Sequence, residues 1–244
     1  MKHDGKISVA IETSCRLGAV ALGIGDKMIS SRMLGTSGRH AAELVACLDE
    51  MLREAAIKPG DVNELYVSVG PGSFTGLRVG ITVARTWSQL TEGLRLFAVP
   101  TSLAVAYNYV NDDWRQMCVM LAAKEHTVHA TLLTKDNGRI SIIGKPVLLD
   151  PITAIETMPR PLTVAGEALG FCGETLKKLS AADGITIAAE SHWLPEIFSL
   201  WHAGNELAAT DGCLTDFEHL LPEYARRPEA VRLWEHKHLQ LNGF

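Results

Sequence analysis

The feature that most constrains the fold is an order of predicted elements that occurs twice along this 244-residue chain. Three short runs of β-forming residues open the sequence, and Gly25-Asp26 marks a hairpin turn between the second and the third. Helices and single strands then alternate. The first half has predicted strands at 7–11, 18–23, 27–34, 64–69 and 96–99, and predicted helices at 40–57, 75–90 and 101–110.

The second half repeats this order without visible similarity in sequence. Its predicted strands are at 117–122, 128–133, 140–149, 162–165 and 185–188, and its predicted helices run to about residue 179 and over 197–208. A meander followed by alternating helices and strands is typical of a mixed sheet flanked by helices. The sequence therefore predicts an α/β protein of two tandem lobes, 1–105 and 106–222, followed by an Arg-rich tail at 223–244.

Composition narrows the class of protein. The net charge of -5 gives no overall positive field with which to hold a polyanion, which disfavours autonomous binding of nucleic acid. The five cysteines form no C-x-x-C pair and so indicate neither a zinc site nor a disulfide framework; they are Cys15, Cys47, Cys118, Cys172 and Cys213. Neither a signal peptide nor a membrane-spanning run is predicted, and we expect a cytoplasmic protein.

The most distinctive segment is VGPGSFTGLRVG, at 69–80, between a predicted strand and a predicted helix. Glycines let a backbone approach a phosphate closely, and a helix N-terminus directs its N–H groups at an anion. The four residues at the start of this loop are therefore candidates for a nucleotide-facing site: Gly70, Pro71, Gly72 and Ser73. Their spacing matches neither a Rossmann fingerprint nor a P-loop, and Ser73 lacks the setting of a hydrolase nucleophile. The alternative is that the glycines only permit a tight strand-to-helix turn.

A polar turn, Glu12-Thr13-Ser14, follows the first predicted strand. A carboxylate there could hold a hydrated cation near a phosphate, although an isolated acid is more often just a turn residue. The histidines indicate no metal site, because their spacings lack the patterns that place two ligands on one face. Those considered are His40, His126, His129, His236 and His238.

Five segments read in order resemble the TsaB (YeaZ) family. They are VAIETSCRLGAVALG, SGRHAAELV, SVGPGSFTGLRVGITVA, VPTSLAVAY and LLPEYARRPEA, the last with Pro222, Tyr224, Arg226 and Glu229-Ala230. The resemblance runs from end to end of the chain, and GPGSFTGLR is its most specific part. It implies two RNase H-like lobes of the actin-like, Hsp70-like ATPase (ASKHA) fold, in agreement with the repeated order of elements.

The resemblance also implies a role in making threonylcarbamoyladenosine at position 37 of tRNA. The chain would be the non-catalytic scaffold and activating partner of a TsaD-like transferase, a paralogue that carries the catalytic metal. A TsaE-like ATPase would join through the complex, tRNA would be contacted indirectly, and the chain alone would form a homodimer. No cofactor is firmly implied, and ATP or ADP is expected only at the interface of the complex.

Two positions depart from the family pattern. Glu12 stands where an aspartate is usual and resembles the catalytic paralogue, but Arg16-Leu17 replaces the acidic pair that follows in that paralogue. Ala122-Ala123-Lys124 replaces a common aspartate-alanine-arginine turn. We therefore carry over the scaffold role and not the transferase role, with no catalytic residue assigned.

The predicted helices 40–57 and 75–90 carry apolar residues around more of their circumference than one sheet requires. Two such helices can form a four-helix contact with the same pair of a related subunit. We assign five residues to the interface core: Leu48, Met51, Leu77, Ile81 and Ala84. The alternative is that these residues only pack on their own sheet.

Two other functions stay open at this point. One is a peptidase resembling the M22 glycoproteases, for which we find neither a nucleophile with a positioned base nor a metal with three ligands. The other is an ATP-binding small-molecule kinase of the same superfold, which would use the loop at 70–73. Cleavage of substrates by the purified protein would favour the first, and binding with turnover of ATP would favour the second.

Overall fold

A computed structural model describes residues 5–35, 40–124, 126–180, 184–212 and 214–223, without the side chains of 40–42 and 178–180. The predicted tail beyond Glu223, together with Cys213, His236, His238 and the side chain of His40, lies outside the described part. The helices are α1 (His40–Glu54), α2 (Phe74–Leu90), α3 (Thr101–Tyr107), α4 (Pro151–Glu156), α5 (Leu169–Ser180) and α6 (Ile197–Ala209).

The strands form two mixed sheets. They are β1 (Ile7–Glu12), β2 (Ala19–Ile24), β3 (Lys27–Met33), β4 (Glu64–Gly70), β5 (Arg95–Pro100), β6 (Gln116–Ala122), β7 (Val128–Asp136), β8 (Arg139–Leu149), β9 (Leu162–Ala165), β10 (Ile185–Ile187) and β11 (Leu214–Thr215). The first sheet has the order β11-β5-β4-β1-β2-β3 and the second β10-β9-β6-β7-β8. Apart from β11, the second order matches the first, strand for strand.

The pairing confirms the predicted duplication. In each half the first strand pairs antiparallel with the next strand of a meander and parallel with the strand that follows the meander: β1 with β2 and β4, and β6 with β7 and β9. Two tandem units of mixed sheet and flanking helices are the predicted ASKHA-type fold. Two elements were not predicted, namely α4 and β11.

The layers of the molecule are fixed by three apolar cores. The first core lies between the first sheet and α1 with α2, and a second lies between the two sheets around α3 and α6. A third core joins the outer face of the second sheet to α4 and α5. Both sheets are therefore covered on both faces, and α1 and α2 form one outer layer of the protein.

α6 packs on the first sheet although it comes from the second half of the chain. The indole Nε1 of Trp201 donates a hydrogen bond to Ser8 Oγ at 2.9 Å, and Gly204 lies directly against the ring of Tyr66. β11 then pairs with β5 at the edge of the same sheet. The predicted division of the chain into lobes at 105 and 222 stays a prediction. The contacts of α6 and β11 show that elements from the predicted second lobe also complete the first sheet.

Candidate functional site

The polar turn after β1 is hydrogen-bonded to the neighbouring strand, β4. Thr13 donates its backbone N–H to Ser68 Oγ at 3.1 Å, which fixes the turn to β4. The carboxylate oxygen Oε1 of Glu12 accepts the backbone N–H of Ser14 at 2.5 Å. Because Glu12 is the last residue of β1 and is 1% exposed, its carboxyl group lies inside the protein.

The glycine-rich loop lies directly against this turn, so the structure brings together the two segments that the sequence marked separately. Ser73 donates its backbone N–H to the carbonyl oxygen of Ser14 at 2.6 Å. A β-carbon added to Gly72 would lie 2.2 Å from that same oxygen, and one added to Gly76 would lie 2.0 Å from the carbonyl oxygen of Thr13. The space beside these two glycines is thus filled by the turn.

This packing gives the glycines a physical role of their own. Gly70 has a φ of +111°, a left-handed conformation that glycine adopts without strain. Ser73 begins α2 as its N-cap, with Oγ accepting the N–H of Gly76 at 3.2 Å. The loop therefore serves as the tight, closely packed turn of the alternative interpretation, and binding of nucleotide by the residues at 70–73 stays a prediction.

Burial controls the protonation of the acid at this turn. Because removal from water disfavours the charged carboxylate, burial raises the pKa of Glu12 to about 7. Hydrogen bonds from Ser14 and Ser68 lower this pKa, but their effect is smaller. The thiol of Cys15 has its pKa raised to about 12, first by burial and then by the charge of Glu12. Near neutral pH the turn can exchange a proton at Glu12, while the Cys15 thiol stays protonated and a poor nucleophile.

The second half carries a parallel arrangement with different chemistry. Gly166 follows β9 with a φ of +111°, as Gly70 ends β4, and it lies against the backbone of Met120 in β6. The atypical turn at 122–124 is closed by a hydrogen bond from Ala123 N–H to the carbonyl oxygen of Thr127 at 2.9 Å. Burial also raises the pKa of Glu167, whose charge in turn raises the pKa of Cys15 in the first half.

Of the histidines considered above, the structure describes the side chains of His126 and His129. The ring of His126 meets that of Phe171 edge to face, and His129 is buried in β7. Among the described residues no group of three or more histidine, cysteine, aspartate or glutamate side chains is placed to hold a metal ion. In the same residues no helix is both long and apolar enough to cross a membrane.

The five residues assigned to a partner interface all lie in the core of this chain. Leu48, Met51, Leu77, Ile81 and Ala84 are between 0% and 4% exposed and pack with β1, β2 and β4 beneath the two helices. This is the packing on their own sheet that the sequence left open as the alternative. Helical periodicity detects the inward stripe, so it identified the face that is already covered.

Outward residues of the same helices, together with Leu48 of the five, line an exposed apolar groove of about 560 Å³. Val45 on α1 is 54% exposed and Leu90 at the end of α2 is 81% exposed. Trp87 also lines the groove, and the buried Leu48 and Leu52 form its floor. A second hollow of about 350 Å³ continues along α2 past Val83 to Phe74. We call these two hollows the α1–α2 groove. In the sequence, the groove was indicated by the apolar residues of α2 that lie outside the inward stripe.

Comparison with known proteins gives the family. A sequence model of the family described as tRNA N6-adenosine threonylcarbamoyltransferase, TsaD, matches residues 35–192 of the chain. The chain belongs to the TsaD family. Within it, a curated relative supports the TsaB (YeaZ) assignment made from the sequence. The chain is 25% identical over 93% of its length to the tRNA threonylcarbamoyladenosine biosynthesis protein TsaB of Bacillus subtilis, of which it covers 96%.

A relative that is named as a threonylcarbamoyltransferase is longer than this chain. The tRNA N6-adenosine threonylcarbamoyltransferase of Thermomicrobium roseum is 25% identical over 91% of the chain, but only 64% of that enzyme is covered. The fold agrees with a solved structure of YeaZ from Pseudomonas aeruginosa, with a TM-score of 0.73, 21% identity, and coverage of 90% of this chain and 99% of that one. That likeness confirms the two-lobed fold.

Proposed function

We propose that the chain acts in tRNA threonylcarbamoyladenosine biosynthesis as a non-catalytic subunit that docks and activates a TsaD-like threonylcarbamoyltransferase. The exposed α1–α2 groove is the observation that carries this proposal. Monomeric proteins rarely leave a continuous apolar surface of this kind in water, and such surfaces commonly mark protein interfaces. A related subunit with the same two helices could place them against this pair as a four-helix contact.

The residues proposed for the interface are therefore the outward ones. Val45, Val83, Trp87 and Leu90 would be covered by the partner, while Leu48 contributes only the floor of the groove. Phe74 would extend the contact toward the glycine-rich loop, with the Arg78 guanidinium stacked 3.9 Å from the centre of its ring. Aromatic and arginine side chains are common anchors of protein interfaces.

The remaining parts of the proposal come from the family resemblance. The non-catalytic role rests on Arg16-Leu17, which stands where the catalytic paralogue carries an acidic pair. A TsaE-like ATPase would join through the complex, with ATP or ADP at its interface and tRNA contacted indirectly. Without the transferase, the same groove would join two copies of this chain as a homodimer.

Co-expression with a TsaD-like subunit tests the docking. We expect one stable complex on size exclusion, and we expect Leu90→Asp to weaken it by about tenfold or more, because a charge would replace an apolar anchor. Because Leu90 is 81% exposed, we expect this substitution to leave the fold of the free chain intact. Failure of the parent chain to form the complex would end the proposal.

The chain offers a matched pair of controls. Phe74 on α2 and Phe171 on α5 are both 46% exposed, so replacing either with aspartate removes the same apolar area from the surface. Phe74→Asp should weaken the complex, whereas Phe171→Asp should leave it unchanged. Equal losses from both variants would show that the groove is not the docking surface, even if a complex forms.

A further inference from the structure

The described chain ends beside the α1–α2 groove. Glu223 donates its backbone N–H to the carbonyl oxygen of Val69 at 2.7 Å, and its own carbonyl oxygen lies against Gly70. The side chain of Leu77, in the first turns of α2, is the other neighbour of Gly70. Just before this point Leu220 is fully buried in the core beneath α1 and α2. The following residues, 224–244, therefore start next to the Phe74 end of the groove.

The length of this segment suits the groove. Four residues, 224–227, precede Pro228, and when extended they can span about 13 Å. Proline is favoured in the first turn of a helix, and a helix over the fourteen residues 229–242 would be about 21 Å long. α2 has 17 residues, which corresponds to about 25 Å. A helix begun at Pro228 can thus run along most of the groove.

The pattern of the segment supplies an apolar face. Val231, Trp234, His238 and Leu241 recur at spacings of three and four residues, as in an amphipathic helix. The segment carries four basic and two acidic residues, although the whole chain has a net charge of -5. The segment is therefore opposite in charge to the body on which it would lie, and Asp49 lines the groove.

We propose that residues 224–244 of the same molecule occupy the α1–α2 groove and compete there with the docking partner. An amphipathic helix laid in an apolar groove is a common mode of recognition. Being tethered at Glu223 gives the segment a high effective concentration at the groove. Docking of a TsaD-like subunit must then displace it, and this regulatory part rests on the function proposed above.

Photo-crosslinking in the full-length chain tests the occupancy directly. A photoreactive amino acid is placed at Thr82, which lines the groove, or as a control at Thr175, an exposed threonine on α5. We expect crosslinks from Thr82 to peptides of 224–244 within one molecule, and none to that segment from Thr175. Absence of such crosslinks from Thr82, or crosslinks only between two copies, would overturn the proposal.

A binding measurement tests the competition. If the segment covers the groove in about four molecules of five, releasing it should tighten the partner's apparent Kd by about fivefold. Trp234→Asp should give this gain, and Arg232→Gln, a nearby change off the apolar face, should not. Intramolecular crosslinks without any binding of the TsaD-like subunit would refute only the docking function. Binding that Trp234→Asp leaves unchanged would refute only the competition.

Discussion

The two halves of the molecule share one order of strands but differ at the positions where function would be expected. β1 ends in the buried acid Glu12, whereas β6 ends in Ala122 at the corresponding last pair of its antiparallel ladder. The first sheet is covered outside by helices of 15 and 17 residues, and the second by helices of 6 and 12. The two halves have thus kept one topology, but in the described residues only the first half has a buried acid at the end of its first strand and a pair of long outer helices.

The difference teaches that topology and surface are set by different residues. The pairing of each sheet needs only apolar central strands that are buried on both faces, and both halves supply them. An interface needs apolar residues on the outward face of a helix, and α1 and α2 form a continuous groove with them. The two halves also differ in how closely other residues pack against a glycine of the outer helix, Gly76 in α2 and Gly173 in α5. Substitution of these two glycines tests that difference.

The largest expected effect comes from the glycines of the two outer helices. Gly76→Ala in α2 places a β-carbon 2.0 Å from the Thr13 carbonyl oxygen, and we expect a loss of about 3 kcal/mol in the free energy of unfolding. Gly173→Ala in α5 meets only Leu169 Cβ at 3.8 Å, and we expect a gain of up to about 1 kcal/mol from helix propensity. Denaturant unfolding measures both, and similar costs in the two helices would contradict the comparison.

Glu12→Gln should show the next effect, and it depends on pH. Because the folded pKa of about 7 exceeds the ordinary value of 4.5, the fold favours the protonated acid. This contribution is fully present below pH 4.5, declines as the pH rises, and is lost above pH 7. Relative to the parent, Glu12→Gln should therefore gain about 3 kcal/mol of stability between pH 4 and pH 8.

Thermal or denaturant unfolding at the two pH values measures this difference. Glu167→Gln in the second half should change stability in the same direction, because burial also raises the pKa of that acid. A pH-independent difference between Glu12→Gln and the parent would show that Glu12 is ionised in the folded protein at no cost.

Sequence reasoning found most of this fold because its strands and long helices carry clear periodicity. It missed α4 and β11, since six and two residues are too few to show a period. It found the stripe of α6 but not the sheet that α6 covers, because Trp201 reaches Ser8 across a sequence separation of 193 residues. Contacts of that range are set by tertiary packing and leave no local pattern.

The candidate site shows the same limit. The turn at Glu12 and the loop at Gly70 each stood out by composition, but the contact between Ser14 and Ser73 depends on the parallel pairing of β1 with β4. On the helices, periodicity identified the inward residues such as Ile81. The outward ones, Trp87 and Leu90, could be found only as apolar residues left over once that stripe had been assigned to the sheet.

The smallest expected effect concerns the cap of α2. Ser73 Oγ accepts the N–H of Gly76 while the Ser73 backbone N–H is already bonded to Ser14, so the side chain and the backbone hold the loop separately. Ser73→Ala removes only the side-chain bond and should cost about 1 kcal/mol of unfolding free energy. Ser73→Asp, which keeps an acceptor at the N-cap, should recover most of that loss. If Ser73→Ala cost nothing, the side-chain cap would not stabilise α2, and the contact of the loop with the Ser14 turn alone would fix the start of the helix.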